Sequence, residues 1–184
     1  MIVLKYDDKV YVAKSCWSFR DPEAKRTHVP DAENISMWHP QKRKNRLIAT
    51  SCSGRFVDVI RYENIFPSEF DPKHLILESY DKMVQLADRF GLRDGNFLPT
   101  RTVFAEGDKA YIVYGDGAHI ELEDIYVSSC EDEAVIALYD LKGIQNPNQF
   151  IKEAFMTIEE IRKYVMFPVV VMNTKTNKIE VINR

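Results

Sequence analysis

The sequence predicts an α+β fold in which antiparallel sheets are covered by paired helices. Hairpin signals open and close the chain, two long amphipathic segments lie between clusters of strands, and there is no regular βαβ alternation. With 184 residues, 45% of them hydrophobic and 29% charged, the chain can bury one sizeable core, and a single domain over 1–184 is expected.

The elements follow in order. Ile2-Val3-Leu4 and Val10-Tyr11-Val12 are β-favouring runs, and Asp7-Asp8-Lys9 supplies the turn between them. Over 17–40 the polarity rises and Pro22, Pro30 and Pro40 punctuate the run, so an irregular excursion is expected, with a short strand at 34–38. Arg46 to Thr50 reads as a buried strand. Ser51-Cys52-Ser53-Gly54 then makes a tight turn into a helix over 55–64, where Phe56, Val59 and Ile60 share a face.

The segment 72–91 spaces Leu75, Leu77, Tyr80, Met83, Val84, Leu86, Ala87 and Phe90 as one long amphipathic helix stopped by Gly91. A loop over 92–99 leads into three short strands at 100–105, 110–114 and 118–122, a meander turned by Gly107-Asp108 and Gly115-Asp116-Gly117. After Ile125-Tyr126-Val127, the segment 131–142 has acidic residues in its first turn and apolar Ala134, Ala137, Leu138 and Leu141, predicting a helix ended by Gly143. A second helix over 147–166 opens with Asn146 as cap and Pro147 at its first position, and Pro168 marks its stop. A closing hairpin pairs Val169-Val170-Val171-Met172 with the run 178–182 across the polar segment 173–177. The sequence contains no internal repeat and no low-complexity tract.

Composition excludes several function classes. The 25 basic and 28 acidic residues leave a formal charge of −3, which gives no electrostatic reason to expect a nucleic-acid or membrane partner. No stretch approaches the roughly 20 apolar residues of a membrane span, and 1–9 is charged too early for a signal peptide, so a cytoplasmic protein is expected. Cys16, Cys52 and Cys130 are odd in number and widely spaced, with no CxxC pair, so neither disulfides nor a metal site is expected, and no motif calls for a cofactor.

The order of elements resembles that of proteasome β subunits and their bacterial two-component protease relatives. Residues 1–13 resemble the family's opening strand pair, and 47–58 its strand, glycine-rich turn and following helix. The run 111–117, followed by Ile125 to Cys130, resembles the family's meander and the turn before its next helix. The resemblance implies a four-layer αββα sandwich of two antiparallel sheets flanked by helix pairs, and homo-oligomeric assembly.

It also implies a mechanism in which a Thr, Ser or Cys at the mature N-terminus is the nucleophile and its own α-amino group, with a pKa of about 8, is the base. Here the chain reads Met1-Ile2, and a thioether cannot serve. With Ile2 already in the first strand, no propeptide is expected to supply a nucleophile. The family's acidic residue at the end of the opening hairpin falls at Lys14 or Ser15, and its strand lysine at Ser36 or Met37. These departures together remove the charges and the reactive group the chemistry uses.

No catalytic residue is therefore assigned. Met1, Ser15, Ser36, Cys52, Ser53 and Ser129 are the candidates for lining a cleft. Cys52 reads most simply as a small buried side chain, and the four histidines stand at no diagnostic spacing. The basic run 41–46 reads as a solvated turn, and Asp7-Asp8 and Glu121, Glu123 and Asp124 as turn residues. The expectation is a proteasome-like protein that has lost peptidase activity and acts as a binding or assembly module with a protein or peptide partner. The alternative is a peptidase or amidohydrolase with a nonstandard nucleophile such as Cys52.

Overall fold

Alternation along each strand decides which layer a side chain enters, because successive residues point to opposite faces of a sheet. In the computed structural model, which describes residues 1–15, 36–40, 45–51, 55–93, 95–98, 100–128, 132–162 and 167–184, this alternation sorts the apolar residues into three cores.

The opening hairpin joins β1 (Ile2–Tyr6) to β2 (Lys9–Ser15), with Ile2 opposite Ala13 and Tyr6 opposite Lys9. Its turn is Asp7-Asp8 alone, Asp7 taking a positive φ of 54°, so Lys9 belongs to the strand. Next come β3 (Met37–Trp38), which leaves outside it the described Ser36 of the strand expected at 34–38, and β4 (Arg46–Thr50), which leads to α1 (Arg55–Glu63).

The predicted long helix begins as α2 (Pro72–His74), widens into a π-helical turn at Leu75–Tyr80 and continues as α3 (Asp81–Arg89). Its start is capped by Asp71, whose side chain accepts from His74 N at 3.0 Å, with Pro72 in the first turn. Apolar spacing alone does not reveal the π turn. In it, Tyr80 donates its hydroxyl to Gly115 O at 3.0 Å, tying the helix to the far meander.

The meander is β5 (Thr102–Glu106), β6 (Lys109–Val113) and β7 (His119–Glu121), the last shorter than predicted and exposed throughout. The strand β8 (Ile125–Val127) leaves it and pairs with β1 in the other sheet. Two helices follow, α4 (Asp132–Lys142) and α5 (Pro147–Arg162). At the start of α5, Asn146 Oδ1 accepts from Asn148 N at 3.0 Å and Gln149 N at 3.2 Å, the predicted cap. The closing hairpin is β9 (Val169–Asn173) and β10 (Thr176–Ile182). Its turn is only Thr174-Lys175, so the expected five-residue connection is mostly strand.

The strand orders are β10-β9-β2-β1-β8 and β3-β4-β5-β6-β7, every pairing antiparallel. Between the sheets lie Val3, Val12, Leu47, Val103, Ile112 and Met172. The opposite face of the first sheet packs Ile2, Leu4 and Val171 against Phe150, Ile151 and Phe155 of α5. That of the second packs Ile48, Phe104 and Val113 against Ile60 of α1 and Met83 of α3. The order of layers is thus helix, sheet, sheet, helix, as the resemblance implies. Each fully buried side chain of this size contributes roughly 1.5–3 kcal/mol, and Phe104, Phe155, Leu47 and Ile112 are all sealed from solvent. Among the described residues no helix is long and apolar enough to cross a membrane.

Candidate functional site

The strand registers bring one set of strand ends together. Ile2 lies opposite Ala13 and Val127, and Thr50 opposite Thr102, which lies opposite Val113. The residues just beyond these pairs, Met1, Lys14 and Ser128 on one sheet and Ser51, Arg101 and Tyr114 on the other, therefore share the same end of the sandwich.

Met1 precedes β1, and its side chain packs against the inter-sheet core. Ser128 N donates to Met1 O at 2.9 Å, extending the β1–β8 ladder. One step beyond Ile2 and Ala13, the register places Met1 across from Lys14. The Lys14 ammonium donates to Ser36 Oγ and, at 2.5 Å, to Thr50 O. Ser36 Oγ also donates to Thr50 O at 2.9 Å, and Thr50 N to Ser36 O at 2.8 Å. Of the alternatives left by the sequence, Lys14 and Ser36 are thus the two that meet. Met37 is buried in the inter-sheet core, while Ser15 lies opposite Val169 at the end of β2. Cys52, Ser53 and Ser129 lie outside the described residues.

Beside this group opens a cleft of about 420 Å³. Its walls are the turn after β6, at Tyr114, Gly115 and Asp116, and the approach to β5, at Phe97, Leu98, Thr100 and Arg101, with Ser51 between. Backbone contacts fix both walls. Leu98 N donates to Gly115 O at 2.8 Å, Ser51 N to Arg101 O at 2.8 Å, and Arg101 N to Ser51 Oγ at 2.8 Å. Gly115 is required by close approach, since a Cβ there would lie 2.3 Å from Leu98 O.

Arg101 is held over the cleft by aromatic rings. Its guanidinium carbon sits 5.4 Å from the Tyr114 ring centroid, a cation–π distance, and its Nη1 lies 3.5 Å from Tyr126 Oη. Burial, seconded by its hydrogen bond with Tyr114, pushes the Tyr126 phenol up to about 12, with Arg101 opposing. The neutral phenol therefore persists at every physiological pH. Asp116 Oδ1 accepts from Ala118 N at 3.0 Å, which closes the meander turn.

Sequence reasoning missed this cleft. The sequence places Arg101 within the strand expected at 100–105 and Asp116 in a turn, whereas β5 begins only at Thr102. The available signal was Gly115 beside Gly117, one glycine more than a short turn needs, which points to close backbone approach. Elsewhere, Glu69, Asp71 and His74 come together with metal-ligating atoms within 4.8 Å of one another. The helix start accounts for them, because the His74 backbone N–H bond holds the Asp71 carboxyl below its ordinary range as the helix cap.

No family model matches the sequence, and no curated protein matches it. The fold has solved counterparts. BPH from Thiobacillus denitrificans, solved in complex with epoxomicin, superposes with a TM-score of 0.74 at 10% identity, covering 94% of this chain and 96% of that one. Anbu from Yersinia bercovieri, described as an ancestral beta-subunit, gives 0.64 at 11% identity, covering 99% and 86%. Eukaryotic HslV from Trypanosoma brucei gives 0.60 at 13% identity, covering 94% and 97%. All are proteasome-type N-terminal nucleophile folds, and the chain described here has that fold.

Proposed function

We propose that this single-domain, proteasome-fold chain carries no threonine-type peptidase activity and serves as a self-associating module that binds a peptide-like ligand at the open end of its sandwich. The observation that carries the reading is Met1. Its thioether packs against the inter-sheet core at the place where the fold's chemistry needs a hydroxyl or thiol. Whatever lies before it, neither Met1 nor Ile2 can supply that group. The cation beside it is also rearranged, with Lys14 on β2 donating to Ser36. Self-association is supported by apolar side chains left on the helix layers, Tyr62, Leu77, Leu141 and Ile161, each more than half exposed.

Intact-mass spectrometry after incubation with epoxomicin tests the loss of activity. The expected result is an unmodified chain and no cleavage of fluorogenic peptides; a stoichiometric adduct at the N-terminus would overturn it. Light scattering tests assembly, and a monomer at high micromolar concentration would remove that part.

A second reading, hydrolysis by a side-chain nucleophile, has one observation in its favour: an amine on a serine hydroxyl is the pairing of serine–lysine hydrolases. Against it, Ser36 is only 3% exposed, and its hydroxyl is engaged with Thr50 O. Peptide mapping after thiol alkylation and fluorophosphonate labelling separates the readings, since selective labelling of Cys52 or Ser36 would make the chain an enzyme.

A further inference from the structure

Two opposite charges face the cleft without pairing. Among the described residues, no carboxylate lies within ion-pair distance of the Arg101 guanidinium, and no basic side chain within that distance of the Asp116 carboxylate. Both line the same volume of about 420 Å³, which falls within the range of small-molecule sites. Each charge is restrained from reaching the other. The Tyr114 ring and the Tyr126 hydroxyl hold the guanidinium, and the Ala118 N–H holds the carboxylate in its turn. The cleft also offers an apolar surface, the ring of Phe97, 56% exposed.

A cation, an apolar body and an anion arranged around one cavity are the complement of a zwitterion with an apolar centre. Resting on the binding role proposed above, we infer that the cleft takes a short peptide with both termini free. The α-carboxylate lies on the Arg101 guanidinium, whose planar fork suits a carboxylate. The α-ammonium lies on Asp116, and an apolar side chain packs on Phe97. The Leu98–Gly115 and Ser51–Arg101 backbone bonds hold the two walls together, so one short peptide can meet both charges. Long or capped peptides lose one of the two charge contacts.

The test is calorimetric titration of the intact protein with the dipeptide Leu-Leu, its N-acetyl derivative, its C-terminal amide, and an acetylated, amidated hexaleucine analogue made soluble by lysine. Leu-Leu is expected to bind, and capping either end to weaken binding roughly tenfold to hundredfold, as loss of a charged hydrogen bond does. Asp116→Asn keeps the acceptor for Ala118 N–H and should abolish discrimination against the acetylated dipeptide only. Arg101→Met should abolish discrimination against the amide only. Arg101→Lys, which retains the charge without the fork, should fall between. If Leu-Leu fails to bind, or capping leaves its affinity unchanged, the inference is wrong. Binding of the capped hexamer alone would overturn it while leaving the peptide-binding reading standing. Release of free leucine from Leu-Leu would instead overturn the noncatalytic reading itself.

Discussion

The two ends of the sandwich are built on different principles. At one end three hairpin turns interlock. Thr174 Oγ1, fully buried in the β9–β10 turn, donates to Gly107 O at 2.5 Å in the β5–β6 turn and accepts from Val10 N at 3.2 Å, while Thr174 N donates to Val10 O at 3.0 Å. One side chain thus joins both sheets, with Lys5 and Asp108 bridging them at 3.8 Å nearby. At the other end long cationic side chains span the sheets beside a cleft, Lys14 of β2 donating to Thr50 O of β4 at 2.5 Å and Arg101 lying 3.5 Å from Tyr126 Oη of β8. The closed end is joined through a buried hydroxyl, whereas the open end is joined by cationic side chains around a cleft that is available to bind.

The comparison breaks first in the shared core. Leu47, fully buried next to the closed end and opposite Ala105, has no loop to collapse into the space it would vacate. Leu47→Ala is expected to destabilise the fold by about 2–5 kcal/mol in urea unfolding. A loss well below that range would mean that the two sheets are not packed tightly there.

Thr174→Val sharpens the comparison, because it keeps the shape and removes the joining hydroxyl. It leaves the buried Val10 N–H and the half-buried Gly107 carbonyl without this partner. The expected cost is about 1–3 kcal/mol, read as a lower urea midpoint with the same slope. A neutral result would show that the closed end is held by its apolar contacts alone.

What the sequence disclosed follows the same division. The strands and helices were legible because continuous apolar runs such as Val169 to Met172 and capped segments such as Asn146-Pro147 carry local signals. Local signals do not say that Ile125 to Val127 crosses to the other sheet, nor that β9 pairs with β2, since both pairings are decided by which apolar faces remain to be covered. The π-helical turn at Leu75–Tyr80 was hidden for a related reason, as its apolar spacing suits a regular helix and Gly115 lies 35 residues away from Tyr80. Of the site, Lys14 and Ser36 were reached by resemblance, with an alternative beside each. Arg101, Tyr114 and Asp116 were not reached, because a cleft formed by strand ends remote in sequence leaves no spacing to read.

The open end should show itself in alkali. The folded Tyr126 phenol loses its proton near pH 12 against 10.0 for an ordinary tyrosine. The unfolded chain therefore releases this proton first as pH rises, so the contribution is complete below about pH 10 and is lost as pH climbs through about 12. Comparing unfolding midpoints at about pH 9 and about pH 11.5 for wild type and Tyr126→Phe isolates it. The variant should lose less stability over that interval. Equal losses would assign the alkaline sensitivity to Tyr80, Tyr111 and Tyr139, whose phenols burial also pushes up.

The smallest effect on stability is expected where the effect on binding is largest. Arg101 is exposed, stacks on Tyr114 and pairs with no carboxylate among the described residues, so the fold gains little from its charge. Its backbone, by contrast, is tied to Ser51 through both N–H and C=O, and a substitution keeps those bonds. Arg101→Met should therefore shift the unfolding free energy by no more than about 0.5 kcal/mol while removing recognition of a free carboxylate. A methionine stem preserves the apolar cover of the Tyr114 ring. A large loss of stability would mean that the guanidinium, like the Lys14 ammonium, holds the two sheets together at this end.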